Sequence, residues 1–517
     1  GYCRSRKACE YCCKGVNHMN YKSTRDSSVS VKSAVAIAKG LSPDGGLFVP
    51  ESLPVISTDN IRYMADMTYV ERAKEILGRF LTDFSAEELE SCIKAAYTKE
   101  KFETNTIAPV YKLNDSCYIL ELWHGPTCAF KDMALQILPH LLTTSVKKLG
   151  LDRETVILVA TSGDTGKAAL EGFKNVEGTK IVVFFPDDGV SSIQRLQMCT
   201  QEGENVFVSA VNGNFDDAQS GVKAIFTDEE YANTLAAGKK ALSSANSINW
   251  GRLVPQIVYY FSAYCDMIKG GEIEAGTEVN VCVPTGNFGN ILAAYYAKRM
   301  GLPIKKLICA SNKNNVLTDF INTGTYDKNR EFFVTSSPSM DILISSNLER
   351  LLYMLSDENA EEVKSYMEKL RTDGKYTVSD KIKNAVKECF YGGCADDGEC
   401  ARTIKETYDK YGYVTDTHTA VAVSVYNEYA EKTGDTAKTI IASTASPFKF
   451  NGDVLSALEG SEAIGDMDEF RLLERLSEKY DLRIPASLKS LEEKEVRFEM
   501  VCDKSQMKAV ISEFLNK

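Results

Sequence analysis

The sequence predicts an α/β protein whose parallel sheets are covered by helices. Apolar, β-branched runs of strand length alternate with helix-length amphipathic segments, and at two junctions a strand passes through a glycine-rich turn straight into a helix. A third observation points to chemistry. Lys131 sits where the strand-like run ILELW gives way, through the turn HGPT, to the helical spacing of MALQILPHLL. At 517 residues with 44% hydrophobic content, the chain can bury large cores and should divide into two or three domains.

Taken in order, residues 1–20 are a basic extension carrying Cys3, Cys9, Cys12, Cys13 and His18. Cys9 and Cys12 have CxxC spacing, but no second pair follows at finger spacing, so no metal is expected. Residues 21–110 read as a mainly helical N-terminal domain. In SAEELESCIKAAYTKE, Ser85 fits the N-cap and Glu88 the third helical position. Residues 111–255 form a first α/β region containing Lys131, with KIVVFFP leading into IQRLQMC and ENVFVSAV into the helix around DDAQSGVKAIF. Residues 256–460 form a second, with strands in KKLICASN and KTIIAS and a helical segment NLERLLYMLSDENAEEVKSYMEKL. Residues 461–517 are a C-terminal extension with a helix, the strand-like EVRFEMVCD and a final amphipathic helix.

Where an apolar strand ends, a lysine is poorly solvated, which lowers its pKa and makes the amine available as nucleophile and base. Taken alone, Lys131 reads better as a helix-start lysine with its ammonium in water, since lysines are seldom buried. The two loops favour the first reading. Strand Val156 to Val159 runs into Thr161, Ser162, Gly163, Asp164, Thr165 and Gly166; strand Val279 to Val283 runs into Pro284, Thr285, Gly286, Asn287, Phe288, Gly289 and Asn290. Each opens a helix, whose free amides and close-approaching glycines suit an anion. Together with the amine they suggest a cofactor phosphate, a substrate anion and a Schiff base. A Walker loop is excluded, because Thr161 and Ala168 stand where that motif needs glycine and Ser or Thr, and neither loop has GxGxxG spacing.

The net charge of -12 argues against nucleic acid, and basic residues would have to be focused in a cleft to receive an anionic substrate. No apolar run approaches membrane-spanning length and no apolar signal core is present. The fifteen cysteines are scattered through apparent core strands, as reduced thiols would be. A cytoplasmic protein with no membrane or nucleic-acid partner is expected.

The chain resembles the threonine synthase family, in the longer branch of fungi and many bacteria, through an ordered series of blocks: STRDSSVSVKSAVAIAKGLSPDGGLFVPESLP, HGPTCAFKD, ATSGDTG, SSIQRLQM, NSINWGRLVPQIVYYF, PTGNFGN, DTHTAV and STASPFKF. The resemblance implies the tryptophan-synthase-β-like fold of pyridoxal-phosphate enzymes (fold type II). Two parallel-sheet α/β domains would hold pyridoxal 5'-phosphate in their cleft, beside a small, mainly helical N-terminal domain, and residues 325–400 would include an insertion. It also implies conversion of O-phospho-L-homoserine and water to L-threonine and phosphate, in a monomer or homodimer. The alternatives are a related lyase that eliminates phosphate and releases a keto acid, and a non-catalytic member of the fold.

By the same resemblance Lys131 matches the lysine that binds the cofactor covalently, and Gly286, Asn287, Phe288, Gly289 and Asn290 match the loop for its phosphate. Thr444 matches the hydroxyl facing the pyridine nitrogen, where a neutral partner moderates carbanion stabilisation. Ser162, Gly163, Asp164 and Thr165 match the loop facing the substrate carboxylate. Arg195, Lys167 and Arg252 are candidates for the substrate phosphate or ordinary ion-pair partners. His124 and His418 are either orienting groups or satisfied polar ones; His124 and Arg195 are taken as substrate-binding. Three positions depart from the family pattern: Asp26 replaces a glycine and is expected to point away from the site, Ser192 replaces a frequent proline, and Ser446 stands where histidine is common.

Overall fold

The computed structural model describes residues 18–516 except Ser162, Asp188 and Gly189, so the expected roles of Cys3, Cys9, Cys12, Cys13 and Ser162 lie outside the described residues. Two sheets organise the chain. The smaller has five parallel strands in the order Val501–Cys502, Val206–Val211, Thr179–Pro186, Glu154–Ala160, Lys240–Ser243. The larger has six, in the order Phe390–Cys394, Ile304–Ser311, Val279–Pro284, Thr439–Ser443, Cys117–Glu121, Val110–Lys112, and only the last joint is antiparallel. The central strands read as continuous apolar runs because helices cover both of their faces.

The sheets cut across the linear division at residue 255. Cys117–Glu121, the strand that leads to Lys131, pairs along its length with Thr439–Ser443. Local periodicity marks a strand but carries nothing about its neighbour, and this strand finds its partner far along the chain. The C-terminal extension returns to the smaller sheet. Of EVRFEMVCD only Val501–Cys502 pairs, against Val206–Val211, and the helix Met507–Leu515 buries Met507, Ile511 and Leu515 against residues of the helix Phe215–Phe226.

The N-terminal domain adds a three-stranded antiparallel sheet, Val31–Lys32, Asn20–Ser23 and Phe48–Pro50, to its helices. Ser85 accepts from the Glu88 N–H at 3.1 Å while the Glu88 carboxylate accepts from the Ser85 N–H at 2.7 Å, closing a reciprocal cap on Ala86–Ala96. The helix Trp250–Lys269 is buried along nearly its whole length. Its Trp250 meets Tyr21, Phe80 and Tyr296 at ring-centroid distances of 5.4, 5.6 and 5.6 Å, fastening the N-terminal domain to the body.

Residues 325–394 hold a two-stranded antiparallel sheet, Thr325–Asp327 with Lys375–Thr377, and the helices Leu348–Leu355, Ala360–Thr372 and Asp380–Cys389 before the edge strand. The fully buried Arg350 donates to the Phe48 carbonyl at 2.9 Å and the Ile248 carbonyl at 2.6 Å, so this region clamps onto both the N-terminal domain and the body. Among the described residues no helix is long and apolar enough to cross a membrane.

The helix Asp164–Phe173 meets the short helix Asp132–Leu135 at Gly172, where a Cβ would lie 2.0 Å from the Leu135 carbonyl oxygen. Gly172→Ala should therefore cost about 1–3 kcal/mol by forcing the two apart. A urea-denaturation midpoint equal to that of the parent would contradict this packing.

Candidate active site

Lys131 is placed by backbone pairing. The Phe130 N–H donates to the Thr444 carbonyl at 2.8 Å, Ala129 bridges Ala445 in antiparallel fashion, and the Ser446 N–H donates to the Cys128 carbonyl at 3.0 Å. Residues 128–130 thus lie against 444–446, just beyond the C-terminal end of strand Thr439–Ser443, where ligands bind in open α/β sheets. The buried Asp132 accepts from the Thr127 N–H at 2.8 Å and the Thr127 hydroxyl at 2.7 Å, folding the HGPT turn back on itself. Cys128 at φ 60°, three residues before Lys131, and Phe288 at φ 64°, within the 284–290 turn, are non-glycine residues held in the left-handed region, as strained positions at functional sites often are.

Burial is the main force on the Lys131 amine and pushes it down to about 8; Asp164 opposes this, Lys449 and Arg252 reinforce it, and Asp132 weakly opposes. The amine donates to Ser339 Oγ at 3.2 Å. Beside it lies a buried ion pair: Lys449 Nζ is 2.7 Å from Asp164 Oδ1, with both side chains almost wholly excluded from water. Lys449 also donates to the Thr127 carbonyl at 3.2 Å and Gln197 Oε1 at 2.9 Å, and Gln194 Nε2 donates to Asp164 Oδ1 at 3.2 Å. Burial alone would raise the Asp164 carboxyl, but Lys449 and Lys131 overcome it and hold the group below the usual carboxylate range. Asp132 has no paired cation, and burial pushes it up to about 7.

The second loop is fixed from outside. Ser345 Oγ donates to the Gly286 carbonyl at 2.7 Å, and Asn347 donates to the Asn287 carbonyl through its backbone N–H and its side-chain amide, each at 3.1 Å. The first amides of the helix Gly289–Arg299 have no partner within the helix. Asn290 Oδ1 accepts from Tyr259 at 2.7 Å and from Tyr260, leaving its Nδ2 as a buried donor without a partner. A phosphate supplies the acceptor this donor lacks, so the residues present fit the phosphate of the expected cofactor. Arg252 donates to the Ala245 carbonyl at 2.6 Å and likewise keeps a buried Nε without a partner. In the first loop, Thr161 Oγ1 accepts from the Gly163 and Gly166 N–H groups at 3.0 and 2.9 Å, which shapes the turn around Gly163, Asp164 and Thr165.

The structure brings together Lys131, Thr444, Asp164 and the 286–290 loop, with Arg252 close enough to act on the Lys131 charge. Other expected residues have partners of their own. Arg195 forks onto Asp187 at 2.9 and 3.0 Å with 41% of its side chain exposed, and Lys167 pairs with Glu171 at 3.2 Å. His124 is bonded to Glu121 at 2.7 Å and stacked on Trp123. The Asp26 carboxylate accepts from the Ser28 N–H and hydroxyl, so it is used by its own turn. Ser446 is fully buried and caps the 3-10 turn Pro447–Phe450 by accepting from the Phe448 N–H. Sequence reading missed Lys449, Gln194, Gln197 and Ser339. The first three lay within quoted motifs, the glutamines at helical spacing on one face of IQRLQM.

The family description "Threonine synthase N terminus" matches residues 20–97, "Pyridoxal-phosphate dependent enzyme" matches 103–445, and "Threonine synthase, C-terminal" matches 419–511. Human threonine synthase-like 1 is 43% identical over 83% of this chain; the chain spans 58% of that protein's length. Threonine synthase of Schizosaccharomyces pombe is 38% identical over 86% of this chain and 90% of its own. Among solved structures, yeast threonine synthase superposes with a TM-score of 0.87 at 33% identity, covering 97% of this chain and 100% of its own. The pyridoxal-phosphate-bound threonine synthase of Brucella melitensis gives 0.85 at 36% identity, covering 96% and 98%.

Lys449→Met would leave Asp164 buried without its cation, at a cost of about 3–5 kcal/mol. The sign of the pH effect is also testable. A depressed carboxyl contributes stability above its unfolded pKa of about 3.9, and that contribution is lost as pH falls below it. The parent should therefore weaken in acid through this group, whereas the variant, with Asp164 raised by burial, should gain relative to the parent as pH drops. Denaturation midpoints measured from pH 6 down to 3 should converge, and parallel curves would contradict the assignment.

Proposed function

We propose that this chain, which belongs to the threonine synthase family of pyridoxal-phosphate-dependent enzymes, converts O-phospho-L-homoserine and water to L-threonine and phosphate. The observation that carries the reading is a buried amine of lowered basicity, Lys131, between two anion-suited helix starts, one of them with an orphaned buried donor at Asn290. Pyridoxal phosphate, when bound, withdraws electrons from the substrate's α- and β-carbons, which makes C–H ionisation and loss of the γ-phosphate feasible.

Lys131 would hold the cofactor, and its free amine, with a basicity lowered to about 8, is suited to take the substrate α-proton at neutral pH. The backbone amides of 286–290 and Asn290 Nδ2 would hold the cofactor phosphate, and the Thr444 hydroxyl would partner its pyridine nitrogen. Because Lys449 neutralises Asp164, the turn at Gly163, Asp164 and Thr165 offers the substrate carboxylate no net negative charge. Arg252, with its unpartnered Nε, is better suited to the substrate phosphate than Arg195, which Asp187 already occupies. We read the protein as a cytoplasmic monomer or homodimer that acts on a small molecule.

The test is to load the protein with pyridoxal phosphate, add O-phospho-L-homoserine and assay phosphate, threonine and keto acid together. Equal phosphate and threonine are expected; phosphate with keto acid would move the assignment to a lyase. Lys131→Ala should lose the visible band of the bound cofactor and turnover together, and a variant that keeps both would end the proposed role of that lysine.

A further inference from the structure

The segment that reaches Lys131 from residues 325–400 holds none of the sequence blocks that carry the family resemblance. Ser339 lies in a single 3-10 turn, Pro338–Met340, and regular structure does not hold it. One flank is tied by Asn312, whose amide donates to the Ser337 carbonyl at 3.3 Å and to Asp341 at 2.7 Å, while Thr335 donates to Asp341 at 2.7 Å. Across the turn, the Ser339 N–H donates to His418 Nε2 at 3.1 Å. A ring nitrogen that accepts carries no proton, so the proton is on Nδ1, which donates to Asp416 Oδ2 at 2.8 Å. Asp416 caps the helix Thr417–Thr433 and also accepts from the His418 and Thr419 N–H groups and the Thr419 hydroxyl. Both His418 and Asp416 are buried. On its other side Ser339 abuts the second ligand loop, since a Cβ on Gly286 would lie 2.6 Å from the Ser339 carbonyl oxygen.

We propose that Ser339 is a catalytic residue whose hydroxyl takes a hydrogen bond from the free Lys131 amine, and that His418 and Asp416 are positioning residues that hold Ser339 in place. This rests on the reading of Lys131 as the cofactor lysine and base. A hydroxyl 3.2 Å from Nζ takes one amine N–H and leaves the lone pair to point elsewhere. When the amine takes the substrate α-proton, the C–H electron pair stays with the substrate and the new ammonium keeps its bond to Ser339 Oγ. The same proton is available for return to the substrate, so the step balances without an added reagent. The charged groups acting on Lys131 are Asp164, Lys449, Arg252 and Asp132; those acting at His418 are Asp416 and Asp453, with the Phe450 ring packed on the imidazole. Replacing Ser339 alters none of them.

The experiment measures Lys131 itself. Cofactor-free protein is acylated with acetic anhydride across pH, and the Lys131 peptide is quantified by mass spectrometry. A hydroxyl accepting from an ammonium favours the charged form, so in Ser339→Ala the midpoint of Lys131 labelling should fall by about one pH unit. In the loaded enzyme kcat should fall roughly ten- to a hundredfold with KM little changed. His418→Leu should move both quantities the same way, and His418→Gln, which can keep an acceptor for the Ser339 N–H, should bring them back towards the parent. A parental labelling midpoint in Ser339→Ala would overturn the proposal, as would a His418→Gln variant no better than His418→Leu. If His418→Leu does not fold, Ser339→Ala decides alone. Failure of the underlying reading looks different: the cofactor band would survive in Lys131→Ala, whatever the Ser339 variant does.

Discussion

The ion pair between Lys449 and Asp164 is the constraint on which the centre depends. It joins the segment after strand Thr439–Ser443 of the larger sheet to the loop after strand Glu154–Ala160 of the smaller one, at 2.7 Å and out of contact with water. Two bare charges in that position would be expensive, and the surrounding groups show how the cost is met. Gln194, Gln197 and the Thr127 carbonyl supply the remaining hydrogen bonds. Because the two charges act on Lys131 with opposite signs, burial decides the basicity of its amine. The pair thus fixes the relation of the two sheets while leaving the reactive amine governed by its lack of water.

The two acidic groups nearest that amine illustrate the point. Asp164, paired, is held below the ordinary carboxylate range; Asp132, one residue from Lys131 and bonded only to Thr127, is pushed up to about 7. The same side-chain chemistry serves as a fixed countercharge in one place and as a turn-forming hydrogen-bond acceptor in the other. What separates them is whether a cation is within contact distance.

Chemistry that depends on local sequence was legible. The strand-to-turn-to-helix junctions marked Lys131 and the two glycine-rich turns, and the Ser85 and Glu88 cap was readable from spacing alone. The rest depended on contacts between distant segments. Nothing near Cys117–Glu121 reveals that its neighbour is Thr439–Ser443. Lys449 could have been suspected, since an apolar turn seldom holds a lysine without a buried carboxylate to meet it. Ser339 had no such signal. Its place follows from the Asn312 and His418 anchors on either side, which only the folded chain brings together.

The pairing of Cys117–Glu121 with Thr439–Ser443 also bears on biosynthesis. Trp123 and Ser443, which bond at the edge of this joint, are 320 residues apart. While the chain is still being made, Lys131 has neither the strand that buries its neighbours nor Lys449 beside it, and it remains an ordinary, well-hydrated lysine among many. Its selectivity as an amine arises only after ribosomal synthesis has passed residue 449. The smaller sheet closes later still, when Val501–Cys502 emerges from the exit tunnel and is added at its edge. The surroundings of Lys131 are therefore completed only after most of the chain has been made, in an order set by topology.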